Sequence, residues 1–173
     1  KQSGIDPEAE QETFSNGGFE KFIGNAEDTL FGWRVNRSDG RVDIAPDPSV
    51  KKEGSRSLKI AFKTFNKRDF YNVTQIVTAQ PSTRYHLTFW GRADNLKSGG
   101  PPFVEILNSA DGKVISATQP FGTGSYDWQQ VTVDFTTPED SEGFGIRTSR
   151  VYCGDARPIT VSLWYDDFRW TKQ

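Results

Sequence analysis

The feature that most constrains this chain is a period-two alternation of apolar and polar residues, interrupted by turn residues every 8–12 positions or so. It runs through Leu58, Ile60 and Phe62; Val73, Gln75 and Val77; Tyr85, Leu87 and Phe89; Val104 and Ile106; Val131, Val133 and Phe135; and Ile159, Val161 and Leu163. Side chains two apart on a strand share a face, so these positions are expected to point inward. Turn residues stand between the segments at Ser38-Asp39-Gly40, Gln80-Pro81, Lys97 to Pro102, Asp111-Gly112, Gly122 to Ser125, Thr137-Pro138 and Gly154-Asp155. Asp111-Gly112 has the character of a hairpin connection in which the glycine supplies a positive φ. Beyond the polar N-terminal tail, no apolar stripe at i, i+3, i+4, i+7 is long enough for a three-turn helix. The pattern predicts an all-β, antiparallel sandwich of about ten strands.

Residues 1–15 read as a linker or tail, with Glu8, Glu10 and Glu12 alternating, and residues 16–173 as a single domain. Hydrophobic residues make up only 34% of the chain and aromatic residues 13%, so large rings are expected to fill the core. The chain begins at Lys1 and contains no Met, which points to an excised or processed piece. No apolar run approaches the ~20 residues of a membrane-spanning helix, and no span is expected in this segment.

Several chemistries find no support. The formal net charge is −2, with 21 basic and 23 acidic residues intermixed, so nucleic acid is not an expected partner. Cys153 is the only cysteine, which rules out a disulfide within the chain and a cysteine-based zinc site, and it reads as a small inert hydrophobe. His86 is the only histidine and is expected on a solvated strand face. No Gly-x-Ser-x-Gly elbow is present. Gly99-Gly100-Pro101-Pro102 joins strands and opens no phosphate-binding helix. Adjacent Asp166 and Asp167 are expected to face opposite ways, so they cannot flank one glycosidic bond. The chain is expected to carry out no catalysis. Asn36-Arg37-Ser38 and Asn72-Val73-Thr74 match the glycosylation sequon, which matters only in a eukaryotic secretory host.

The order of short motifs along the chain carries a resemblance. Asn16-Gly17-Gly18-Phe19-Glu20 is followed by Gly32-Trp33, Gly54-Ser55-Arg56-Ser57-Leu58 and Gln75-Ile76-Val77 with Pro81. Then come Tyr85-His86-Leu87-Thr88-Phe89-Trp90 with Arg92, Trp128-Gln129-Gln130-Val131 with Phe135, and Leu163-Trp164-Tyr165-Asp166-Asp167-Phe168. Each motif alone is weakly specific; the series, from Asn16 to Trp170, resembles the carbohydrate-binding modules of families four, nine and twenty-two. That resemblance implies a galactose-binding-like jelly roll and a polysaccharide or oligosaccharide partner. It also implies a structural calcium held by oxygen ligands of Glu20 and Asp166, with capping of a turn or exposure to water as the alternative. Trp33 and Trp128 match positions that look structural and are assigned to the core.

Sugar recognition needs aromatic faces and a few polar groups. With Tyr85, Leu87 and Phe89 turned inward, Trp90 and Arg92 project from the other face beside His86 and Thr88, and Trp90 is the leading candidate. Tyr71, Glu105 and Arg147 would join them if their strands lie side by side. The competing reading for any one of these aromatics is packing beneath a loop. The leading functional expectation is a non-catalytic binding module of a larger exported bacterial protein, extracellular, periplasmic or at the cell surface. The rival is a protein-interaction or spacer domain appended to a helical-repeat protein, which the basic strip Arg147, Arg150 and Arg157 favours slightly.

Overall fold

The computed structural model describes residues 18, 33–35, 41–65, 73–97, 100–151 and 159–173. Their strands are β1 (Arg34–Val35), β2 (Val42–Asp47), β3 (Ser57–Phe65), β4 (Val73–Thr78) and β5 (Arg84–Lys97), then β6 (Pro102–Asn108), β7 (Val114–Ala117), β8 (Gly124–Thr136), β9 (Gly143–Arg150) and β10 (Ile159–Lys172). Among the described residues there is no helix. The strands form two five-stranded sheets, a first in the order β2-β3-β10-β5-β8 and a second in the order β1-β4-β9-β6-β7. Every pairing is antiparallel. The two sheets make the sandwich that the alternation predicts, in the jelly-roll form that the family resemblance implies.

The inner faces meet in a core rich in rings. Leu58, Ile60, Phe62, Tyr85, Leu87, Phe89, Val104, Ile106, Ile159 and Leu163 are all buried, as their spacing requires. Phe89 stacks on Phe168, with centroids 4.5 Å apart, and Trp33 meets Phe168 edge-on at 5.1 Å. At the other end Tyr85, Phe135, Phe144 and Trp170 contact one another. Each such ring contributes about 1.5–3 kcal/mol by leaving water. Val131 and Val133 are only half-buried, because β8 is an edge strand.

Trp128 departs from its expected place: it is half-exposed and lies outside the core cluster. Inward Val131, Val133 and Phe135 set the phase of β8, which turns Trp128 to the outer face, next to the point where the β5–β8 register shifts and two residues of β5 (Gly91 to Ala93) face three of β8 (Tyr126 to Gln129). A second irregularity falls between Asp166 and Arg169 of β10. Asp167 takes φ 53° there, a left-handed conformation that Asp tolerates better than most residues. The residue it adds turns Phe168 into the core. The Asp167 carboxylate accepts from Nε of exposed Arg169 at 2.8 Å, so it turns toward solvent and the expected opposition to Asp166 fails. At the β6–β7 connection Gly112 has φ 73°, as that hairpin predicts.

Candidate functional site

The predicted site residues lie on opposite outer faces of the sandwich. Trp90 and Arg92 belong to β5 and the first sheet, whereas Glu105 and Arg147 belong to β6 and β9 in the second. The single shared surface expected from sequence is therefore not formed, since the hydrophobic core separates the two groups. Tyr71 and Glu20 lie outside the described residues.

On the first sheet, register puts Arg92 beside Trp164 of β10, and Trp164 beside Lys59 of β3. The Arg92 guanidinium and the Lys59 ammonium lie 5.6 Å and 5.5 Å from the Trp164 ring centroid. Trp164 Nε1 donates to Asp47 Oδ2 at 2.9 Å, and the residue is only 6% exposed, so its ring is closed to a ligand. Burial acts to raise the Asp47 pKa but is outweighed by this bond, the Ser49 and Val50 backbone donors and Lys59, which together hold the carboxyl below its ordinary range. Trp90, next along β5, is half-buried between Asp166 and Gln130, with Lys52 Nζ 4.3 Å from its ring centroid. Arg92 also reaches the exposed Asp127 carboxylate at 3.3 Å. Farther down this face His86 Nδ1 bonds Asp134 Oδ1, which agrees with its expected solvated position. His86, then Arg84, holds the Asp134 carboxyl below its ordinary range.

Asp166 is fully buried beneath the β2–β3 connection. Its Oδ2 accepts from the backbone N–H groups of Lys52 at 2.9 Å and Glu53 at 3.0 Å, and its Oδ1 accepts from Asp167 N–H at 2.8 Å. Burial pushes this carboxyl above its ordinary range against the pull of the three donors. A carboxylate offers about four lone-pair directions, and these donors take three of them. Among the described residues no group of three or more His, Cys, Asp or Glu side chains converges to hold a metal.

The outer face of the second sheet is built differently. Strand register aligns Arg34, Thr74, Arg147, Glu105 and Ala117 in one row across all five strands. Arg147 Nε donates to Glu105 Oε1 at 3.0 Å, with the two side chains 23% and 12% exposed. The next row holds Ile76, Gly145, Leu107 and Val114, of which Ile76 and Val114 are well exposed. On the other side of the polar row, half-buried Phe103 faces Ser149. Sequence reasoning did not single out Phe103. The signal was present, because buried Val104 and Ile106 turn Phe103, Glu105 and Leu107 outward together.

No curated protein sequence matches the chain. Among solved structures, a CBM4 module is 20% identical over 93% of this chain and 100% of its own length, with a TM-score of 0.66. TmCBM61 in complex with β-1,4-galactotriose is 17% identical, covering 94% of this chain and 99% of that one, with a TM-score of 0.59. A cyclase from Fischerella sp. TAU is 18% identical, covering 92% and 95%, with a TM-score of 0.62. At these identities the likeness is one of fold, and the same fold occurs in a binding module and in an enzyme. The sequence model of the carbohydrate binding domain family CBM_4_9 matches residues 11–148, most of the chain, and the protein belongs to that family.

Proposed function

We propose that the domain is a non-catalytic carbohydrate-binding module that holds a polysaccharide or oligosaccharide on the outer face of its second sheet. The observation that carries this reading is the Glu105–Arg147 pair at mid-face, set between Phe103 on one side and Ile76, Leu107 and Val114 on the other. A pyranose offers hydroxyls at its rim and C–H groups on its faces, and this strip offers a fixed acceptor–donor pair beside apolar surface. Because the pair is held before a ligand arrives, little side-chain entropy is lost on binding. Neighbours of the same fold include a β-1,4-galactotriose complex, which supports the ligand class.

Non-catalytic action is supported by the supply of acids. Glycoside hydrolysis uses two carboxyl groups across the scissile bond, and Glu105 is the only Asp or Glu in the five strands of this sheet. The exported, cell-surface or periplasmic setting within a larger protein rests on the family resemblance alone. Structural calcium, with Asp166 as a ligand, rests on that resemblance. One observation favours the rival protein-contact reading: Ile76 and Val114 are 43% and 50% exposed, and a partner protein would cover them as well as a sugar would.

A glycan array followed by affinity electrophoresis tests the proposal. Glu105→Ala and Arg147→Ala are each expected to weaken binding about tenfold or more, the loss of a central contact worth ~1.4 kcal/mol or above. A folded wild-type domain that retains no glycan, with calcium present, overturns the carbohydrate reading and leaves protein contact in its place.

A further inference from the structure

Trp90 and Trp164, two outward tryptophans near the middle of the first sheet, differ in access. Trp164 is closed, its ring between two cations and its N–H bonded to Asp47. Trp90 is half-buried, and one face of its ring is covered by Lys52, whose side chain is itself exposed. The Lys52 backbone is fixed, because its N–H and that of Glu53 are bonded to buried Asp166. The ammonium can therefore leave the ring by side-chain rotation while the loop stays in place.

We infer that Trp90 is a second carbohydrate contact, on the opposite face from Glu105 and Arg147, and that Lys52 is its displaceable lid. The inference rests on the carbohydrate reading above for its ligand class. A cation over an exposed aromatic ring is held by about 0.5–1 kcal/mol, a closed-to-open ratio of roughly two to five. A pyranose ring laid on the indole replaces the ammonium with C–H groups, and the released ammonium returns to solvent. Exposed Gln130, the β8 partner of Trp90, and Arg92, two residues along β5 on the same face, flank the ring as further acceptor and donors. Since only the open fraction binds, the lid weakens apparent affinity about three- to sixfold.

The test is calorimetric titration of the full chain with cellohexaose, xylohexaose and β-1,4-galactotriose, in a Glu105→Ala/Arg147→Ala background that silences the other face. In that background residual binding is expected; Lys52→Ala tightens it about three- to sixfold, Trp90→Phe retains part of it and Trp90→Ala abolishes it, with unchanged circular dichroism. The inference is overturned if the double variant binds no probe even with Lys52→Ala, or if Lys52→Ala gives no tightening, or if Trp90→Ala leaves residual binding intact. If instead the double variant binds as the wild type does and Trp90→Ala removes binding, the proposal for the second sheet fails while this one stands.

Discussion

Asp166 shows how one buried carboxylate organises a surface. Two of its three N–H donors, Lys52 and Glu53, fix the β2–β3 connection over the first sheet, and that connection in turn sets Lys52 above Trp90. Asp166→Asn replaces a charged acceptor with an amide whose NH2 cannot accept. Thermal or urea unfolding in EDTA is expected to show a loss of about 1–3 kcal/mol, because capping the connection needs no cation. The calcium proposal adds a second expectation: calcium raises the melting temperature of the wild type and not of this variant. At this scale sequence was a partial guide. The outward direction of Trp90 was legible because Tyr85, Leu87 and Phe89 fix the phase of β5. The lid over it was not, since Lys52 is a loop residue whose target lies on a strand 38 positions later in the numbering. Nor was the direction of Asp167, which a local bulge sets against the alternation.

Among the elements, β9 was the least legible and is the most important to the proposed site. It lies at the centre of the second sheet, and seven of its eight residues are buried, so Gly143–Arg150 shows no inside–outside alternation to read. With β9 unplaced, the meeting of Arg147 with Glu105 could not be derived. In β5 the informative residue is Gly91, between Trp90 and Arg92 and facing inward. A Cβ there would meet the Phe121 ring well inside contact distance, so the absent side chain lets the β7–β8 connection seat its aromatic against the sheet. Gly91→Ala is expected to destabilise the fold by about 1–3 kcal/mol through this overlap. Its denaturant midpoint should recover in part when Phe121→Leu makes room, and midpoints of the single and double variants check both statements.

Across the whole molecule, burial and charge act on pH stability in opposite directions. The carboxyls of Asp47 and Asp134 sit below their ordinary range in the fold. Their contribution is complete above the unfolded value of 3.8 and is lost as pH falls through the folded one. Asp166 sits above its ordinary range, so the fold binds its proton more readily than the unfolded chain does, and stability from this group rises as pH falls through the folded value. Urea unfolding between pH 6 and pH 2 is expected to show a shallower acid decline in Asp47→Asn and Asp134→Asn, and a steeper one in Asp166→Asn.

The strand order of the first sheet also sets a timetable for folding. β10 occupies the centre of that sheet, joining the β2–β3 pair to the β5–β8 pair, yet it is the last of the five to be synthesised. On a ribosome these two strand pairs emerge with no strand between them, and each holds an open edge while about a hundred residues separate β3 from its partner. The sheet closes, and Asp166 reaches the loop it fixes, only after Ile159–Lys172 has left the exit tunnel.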